Sequence, residues 1–175
     1  MRTLIKSFVA IALVLCAPDA RAQDVTEGAL KGAFLYNFAW FTEWPADVLP
    51  QGSPIQACIV GDRAVAAALE RIARDRRPAG HPLVVKTTSE TALQGCHLVY
   101  VAATSARSAS AAMSSVAGSP VLTISDVDEF ARSGGIAQFV VDRGKMRFRV
   151  NLESAKRAQL QLSSRLLSLA ELVHE

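Results

Sequence analysis

Cys58 and Cys96 are the residues whose chemistry the sequence predicts most directly, because two thiols can form a disulfide bond. A third cysteine, Cys16, lies in a leader segment that is considered below. An even pair of cysteines in an exported protein is normally oxidised. The sequence therefore predicts a Cys58–Cys96 disulfide, and two buried free thiols are the alternative. No metal site is expected, because the cysteines and the scattered histidines lack ligand spacing (His81, His97 and His174).

The sequence contains no motif that is typical of an enzyme. It has no G-x-S-x-G nucleophile elbow, no H-E-x-x-H zinc motif, no phosphate-binding P-loop and no dinucleotide fingerprint. A convergent set of serine, histidine and carboxylate residues is also not visible. We therefore interpret the chain as a protein without a catalytic role or a cofactor, and an unrecognised enzyme is the alternative.

One type of turn has the position of a small-ligand site. Gly61 and Asp62 follow a predicted strand and precede a predicted helix, and Thr104 stands at the same place after another strand. Open α/β sheets bind ligands at the carboxyl ends of their strands, and helix N-termini favour anions. The alternative is that Asp62 only caps the helix, and the sequence favours this structural role because the first N–H groups of any helix need partners.

The first 22 residues have the features of a cleavable signal peptide. Arg2 and Lys6 form a basic start, residues 8–17 are mostly apolar, and Ala20-Arg-Ala22 is a small-x-small cleavage site. The expected mature protein is residues 23–175, a single domain with one core. The alternative is a lipoprotein anchored at Cys16. The apolar stretch is too short to remain as a membrane span, and no later segment is expected to insert into a membrane.

The charge balance excludes one class of function. The whole chain has a formal net charge of +3. Without Arg2, Lys6, Arg21 and Asp19, residues 23–175 hold 16 basic and 15 acidic residues, a net charge of +1. Nucleic-acid binding needs a basic block, and the sequence contains none. Nucleic acid is therefore not an expected partner.

Strands and helices alternate through the middle of the chain. The predicted strands cover residues 55–60, 82–87, 97–102 and 120–125, and the predicted helices between them cover 63–73 and 106–116. Strands without polar alternation are typical of a parallel sheet with helices on both faces. An earlier helix is predicted from a capping box at Asp24 and Glu27 to about Phe41, and a helical turn is predicted over 126–131. The predicted fold class is an α/β sandwich with a mostly parallel sheet.

The end of the chain is predicted to be an antiparallel hairpin followed by two helices. Asp142-Arg-Gly-Lys145 is a hairpin turn between strands at 136–141 and 146–150. In the second strand apolar residues alternate with Arg147 and Arg149, so one face is apolar and the other is cationic. Asn151 is expected to cap a helix over 152–158. Ser163 is expected to cap a last helix whose core-facing stripe holds Leu162, Leu166, Leu169 and Val173.

Six aromatic residues lie between Phe34 and Trp44, on the first predicted helix and just after it. A helix that is hydrophobic nearly all round must be covered by the sheet, by a second copy of the chain or by a partner. Residues 34, 38 and 41 share one helical face and are predicted to be core. Residues 36, 40 and 44 point elsewhere, towards a pocket or an interface.

This aromatic segment resembles a known family. Gly32-Ala-Phe-Leu-Tyr-Asn-Phe-Ala-Trp-Phe-Thr-Glu-Trp-Pro45 is similar to the A-x-L-Y-N-F-x-x-F-x-x-W-P signature of the YfiR family of periplasmic signalling proteins. The strand end Ile59-Val-Gly-Asp62 resembles the family's first strand and turn. The tail, from Met146-Arg-Phe-Arg-Val-Asn151 to Leu162-Ser-Ser-Arg-Leu-Leu-Ser-Leu-Ala170, resembles its closing hairpin and helix. The resemblance covers nearly all of residues 23–175.

The resemblance implies a periplasmic repressor. Such proteins bind the sensor domain of an inner-membrane diguanylate cyclase and hold it inactive, which controls cyclic di-GMP and biofilm formation. An OmpA-like outer-membrane lipoprotein can sequester the repressor. The resemblance does not decide whether the chain forms a homodimer. Cys58 and Cys96 match the placement of the family's disulfide. A second disulfide that some relatives have near the hairpin has no counterpart here.

The hairpin is the expected contact surface for the cyclase, at Phe139, Met146, Phe148 and Arg149, because it is a terminal ribbon with one apolar and one cationic face. The alternative function is a periplasmic small-molecule sensor whose ligand binds at Gly61, Asp62 and Thr104.

Overall fold

The computed structural model describes residues 20–103 and 106–174, with side chains from residue 27 to 103 and from 107 to 174. The predicted leader up to residue 19, including Cys16, lies outside the described residues, as do Thr104 and Ser105. Among the described helices, none combines the length and the apolar character that a membrane span requires.

The first half of the described chain alternates between the two kinds of element. In chain order it contains α1 (Ala20–Trp40), β1 (Thr42–Glu43), β2 (Ile55–Val60), α2 (Arg63–Ala73), β3 (Leu83–Thr88), β4 (Leu98–Val101), α3 (Ala106–Ser115) and β5 (Leu122–Ser125). A single 3-10 turn, Pro78–Gly80, precedes β3. The second half contains β6 (Ala137–Asp142), β7 (Lys145–Asn151), α4 (Leu152–Arg157), β8 (Gln161–Leu162), α5 (Ser164–Leu167) and β9 (Glu171–Val173).

The main sheet has seven strands in the order β3-β2-β4-β5-β6-β7-β9. The first five of these strands are parallel, β7 is antiparallel to β6, and β9 is parallel to β7. The strands β1 and β8 form a separate antiparallel pair. The structure therefore confirms the mostly parallel sheet and the C-terminal hairpin that the sequence predicts.

Helices cover both faces of the sheet, which is why the strands lack polar alternation. Helices α1 and α2 share one core with Ile59 and Tyr100, both of them fully buried. Helix α3 shares a second core with Val60 and Val101, the neighbouring residues on the same two strands. Because successive side chains of a strand point to opposite faces, strands between two helix layers must be apolar at every position.

The disulfide joins two neighbouring strands inside the layer that α3 covers. Cys58 lies on β2 and Cys96 lies just before β4, with a Cα–Cα distance of 5.9 Å and a sequence separation of 38. The two cysteines are only 2% and 6% exposed. The structure therefore contains the predicted disulfide, and the bond is shielded from solvent.

Small residues allow α1 and α2 to cross at close range. Gly28 and Gly32 are one helical turn apart on α1, and they face Ala64 and Ala68, one turn apart on α2. A Cβ atom placed on Gly32 would lie 2.9 Å from the Ala68 Cβ and 3.0 Å from the Leu69 nitrogen. Backbone on one side of this contact cannot move aside as a flexible side chain would. The crossing therefore depends on a residue without a side chain at position 32.

We expect the substitution Gly32→Val to destabilise the protein by about 2 kcal/mol, because inserting carbon atoms into a close-packed contact forces the helices apart. Asn37→Val, on an exposed position of the same helix, is the matched control and should change the free energy of unfolding by less than about 0.5 kcal/mol. Urea unfolding monitored by circular dichroism measures both. Equal stability of the two variants would show that the helices do not cross as closely as described.

The C-terminal segment corrects one sequence-based prediction. Ser163 caps α5, since its Oγ accepts a hydrogen bond from the Leu166 N–H at 3.3 Å. The helix ends at Leu167, however, and residues 171–173 form strand β9 beside β7. Leu169, predicted to face the core, is 72% exposed. The physical reason is that the open edge of β7 offers backbone hydrogen bonds, which a continued helix would leave without protein partners.

Two further segments depart from the prediction. Helix α1 already includes residues 20–24, so it does not begin after Asp24. Residues 126–131 form turns, without the predicted helical turn, although Phe130 is buried there. The cap at Asn151 is confirmed, because its Oδ1 accepts a hydrogen bond from the Ser154 N–H at 2.9 Å.

Candidate functional site

The hairpin of β6 and β7 closes through a tight turn with two left-handed residues. Arg143 has a φ of 49° and Gly144 has a φ of 73°. Two consecutive positive φ angles are typical of the type I′ turn, whose twist matches that of the flanking strands. The register pairs Phe139 with Phe148 and Val141 with Met146. The sequence correctly predicts the turn and both strands.

Phe139 and Phe148 attach the hairpin to α1. Their rings lie 5.8 Å from the Phe34 ring, and the Phe148 ring lies 5.1 Å from that of Phe38. Each of the two hairpin phenylalanines is only 3% exposed. This burial corrects the predicted contact surface, because neither side chain is available to a partner. The apolar face of the ribbon packs on the aromatic helix, so that each segment buries its apolar side chains against the other.

We call Val141, Met146 and Arg149 the hairpin surface; each is exposed or partly exposed, as are residues 140, 142–145 and 147 of the same ribbon. Val141 is 70% exposed, and Met146 is half-buried. Arg149 is partly exposed and its Nε lies 3.2 Å from Glu171 Oε2 on β9. Val141 and Met146 lie on the apolar face of the ribbon and Arg149 lies on the opposite face. All three line one groove, on a ribbon that the phenylalanines hold in place.

A groove of about 480 Å³ runs from the hairpin surface to the carboxyl ends of the parallel strands. Met146 and Arg149 form part of one side, and Lys31 of α1 and Asp126 line the remainder with Glu27. The apolar part of the groove therefore adjoins a charged part. Proteins recognise partners through such combinations, with apolar contact area for affinity and charges for orientation.

Lys31 is the centre of a buried ion-pair cluster. It is 6% exposed, and its Nζ lies 2.5 Å from Asp126 Oδ2 and 2.7 Å from Glu27 Oε1. Burial alone would lower the pKa of Lys31, but hydrogen bonds and charge attraction from Asp126 and Glu27 outweigh it and raise the pKa. Lys31 therefore stays charged, and it holds α1 to the loop that follows β5.

Tyr100 lies at the base of this cluster. Its side chain is fully buried, and its hydroxyl lies close to the Asp126 carboxylate. Burial and then the charge of Asp126 raise the pKa of the phenol far above its usual value, so the hydroxyl stays protonated. The cluster is thus one cation, two carboxylates and a neutral phenol.

Sequence reasoning did not identify the Lys31–Asp126 pair. The residues are 95 positions apart, and the fold alone brings them together. From the sequence, Asp126 was recognisable only as a polar residue that follows a predicted strand. A single lysine at the start of an aromatic helix face was the one available sign, because a charge on a buried helix face requires a partner.

The predicted ligand turn has a structural role. Asp62 caps α2, with Oδ1 accepting a hydrogen bond from the Val65 N–H at 2.9 Å. Gly61 adopts a φ of 83°, as a tight turn requires. Thr104 lies outside the described residues. Because the carboxylate of Asp62 is committed to the cap, the small-ligand alternative is not favoured. No cluster of three or more potential metal-ligating side chains occurs in residues 27–103 and 107–174.

Comparison with known proteins adds an independent finding. A family model described as YfiR/HmsC-like matches residues 28–171, which include both cysteines and the whole hairpin. Among solved structures, the chain is similar to a conserved domain protein from Vibrio cholerae O1 biovar eltor, with 14% identity and a TM-score of 0.50. That match covers 74% of this chain and 57% of the other, and at this identity it supports the fold alone. No curated protein sequence matches the chain.

Proposed function

The chain belongs to the YfiR/HmsC-like family, and we propose that it is a periplasmic repressor that binds the sensor domain of an inner-membrane diguanylate cyclase. The observation that carries the proposal is the family match across residues 28–171. Binding of this kind needs a surface and no catalytic step. An OmpA-like antagonist and a homodimer are not part of the proposal.

We propose the hairpin surface and its groove as the contact region for the cyclase. Val141 supplies exposed apolar area, Met146 supplies a partly buried apolar side chain, and Arg149 supplies a guanidinium group that lines the same groove from the other face of the ribbon. The phenylalanine contacts with α1 hold this ribbon rigid, so little conformational entropy would be lost on binding. Arginine is one of the residue types enriched at the positions that dominate binding energy.

Capture from membranes tests the proposal. The tagged full-length chain is expressed with its own leader and recovered from detergent-solubilised inner membrane, and co-purifying proteins are identified. We expect a cyclase with a periplasmic sensor domain. The variant Met146→Asp/Arg149→Glu should recover it about tenfold less efficiently, a loss of about 1.4 kcal/mol that is smaller than the cost of truncating one dominant contact residue. Cellular cyclic di-GMP should rise in the same variant.

The matched control is Arg107→Glu, which reverses one exposed arginine at the start of α3, in the opposite helix layer. It should leave recovery unchanged. Recovery of the cyclase by all three proteins alike would contradict the assignment of the hairpin surface. Failure of the unmodified chain to capture any cyclase would contradict the function itself.

A further inference from the structure

The strand β3 leaves one complete edge of the main sheet open. It is six residues long, it is the edge strand that begins the sheet order, and among the described residues it pairs only with β2. The Ile55 N–H donates to the Pro82 carbonyl at 2.8 Å. Because bonding directions alternate along a parallel strand, Leu83, Val85 and Thr87 turn their N–H and C=O groups away from β2. These groups are free to pair with another strand.

A groove of about 430 Å³ lies beside this edge, between β3 and the end of α2. Leu83 and Val85 provide an apolar floor. Four arginines occur within residues 71–77, and three of them line the groove: Arg74, Arg76 and Arg77. Only two carboxylates, Glu70 and Asp75, accompany them in the groove.

The arginines of the groove have no acidic partners in the described structure. No ion pair joins any of them to a carboxylate in the described parts of the chain, and the guanidinium of Arg76 instead lies 5.8 Å from the Tyr36 ring centroid. Arginine side chains present paired donors that fit carboxylates. An excess of unpaired guanidinium groups beside an open strand edge therefore suits a ligand that is both extended and acidic.

We propose that the edge of β3 and the adjoining arginine groove bind an extended acidic segment of a partner protein by strand addition. The main chain of the segment pairs with Leu83, Val85 and Thr87. Its alternate side chains then point to the α2 side of the sheet, where the arginines lie, and the others lie next to Val84, which is 39% exposed on the opposite side. Strand addition of this kind combines main-chain affinity with side-chain specificity.

A second copy of the chain is a poor occupant of this edge. Pairing two β3 edges would bring two arginine groups to the same interface, and like charges at close range oppose association. The surface is separate from the hairpin surface, at the other end of the sheet order. The proposal for β3 can therefore be tested independently of cyclase binding at the hairpin surface.

A fluorescent peptide of four Glu-Val repeats provides the probe, with a Lys-Val peptide of the same length as its control. Anisotropy should detect binding of the Glu-Val peptide to the full chain and none of the Lys-Val peptide. Arg74→Glu/Arg77→Glu should weaken binding at least tenfold. Arg107→Glu/Arg132→Glu makes the same change in net charge elsewhere on the surface and should weaken it less than twofold. Ionic strength is kept constant, because exposed charges are screened by salt.

Thr87→Pro separates strand addition from simple charge attraction. It removes an outward N–H without removing a bond to β2, and proline is tolerated on edge strands. Its circular dichroism spectrum should match the parent protein while peptide affinity falls at least fivefold. Unchanged affinity in Thr87→Pro would overturn strand addition. Equal losses of peptide affinity in the two charge-reversal variants would contradict the role of the arginine groove. The proposal would also be contradicted if the protein bound phosphatidylglycerol vesicles and not the peptide, or if sedimentation showed self-association through β3.

Discussion

A Cys58→Ser variant is expected to unfold at a temperature about 10 °C below that of the unmodified protein. The disulfide closes a loop with a sequence separation of 38, and loss of such a crosslink costs about 3–4 kcal/mol in the chain-entropy model. For a domain of this size, each kcal/mol lowers the melting temperature by about 2–4 °C. Circular dichroism melts of the purified protein measure the change.

Reduction of the unmodified protein supplies the internal control. Dithiothreitol should bring its melting temperature down to that of Cys58→Ser, and it should not affect the variant itself. Cys58→Ala distinguishes the crosslink from the cost of burying a serine hydroxyl at a position that is 2% exposed. A variant that melts together with the oxidised protein would show that the bond contributes nothing to stability.

The strands of the parallel sheet were predictable because their pattern is local. Residues 55–60 are apolar at nearly every position, and the structure places this strand between two neighbours with a helix layer on each side. The boundaries of β2 and α2 agree with the prediction to the residue. Such strands can be predicted without knowing their distant neighbours, because burial on both faces requires a short continuous run of apolar residues.

The packing partner of the hairpin was less predictable than the hairpin itself. Alternation showed that Phe139 and Phe148 belong to an apolar face, but it could not show what covers that face. The structure covers it with Phe34 and Phe38 of α1, more than 100 positions earlier in the sequence. In the same way, the stripe of Leu166, Leu169 and Val173 has helical spacing, yet the open edge of β7 converts its last part into a strand.

The substitution Lys31→Met is expected to destabilise the protein by about 3 kcal/mol. It removes the cation that compensates Asp126, whose side chain is 17% exposed. Removing one partner of a buried pair leaves an uncompensated charge, and this costs more than the pair itself contributes. Methionine has a similar length, so the loss of packing should be small. Urea unfolding measures the effect as a change in the midpoint at constant slope.

A double-mutant cycle separates the charge effect from other consequences of losing the lysine. Lys31→Met/Asp126→Asn replaces both charges by neutral groups of similar shape and should recover most of the stability, because no buried charge is left without a partner. Glu27→Gln removes a carboxylate that is 49% exposed and should cost less than about 1 kcal/mol. If Lys31→Met were as stable as the unmodified protein, the pair would not hold α1 to the loop after β5.

The same cycle links the buried pair to the proposed binding surface. Lys31 and Asp126 line the groove that ends at Met146 and Arg149, and α1 is the helix on which the hairpin phenylalanines pack. If the pair acts by positioning α1 under the hairpin, cyclase capture should fall in Lys31→Met and return in the double variant, in parallel with stability. If its charges contact the cyclase directly, capture should stay low in the double variant even though stability returns. The two outcomes thus distinguish a positioning role from a direct one.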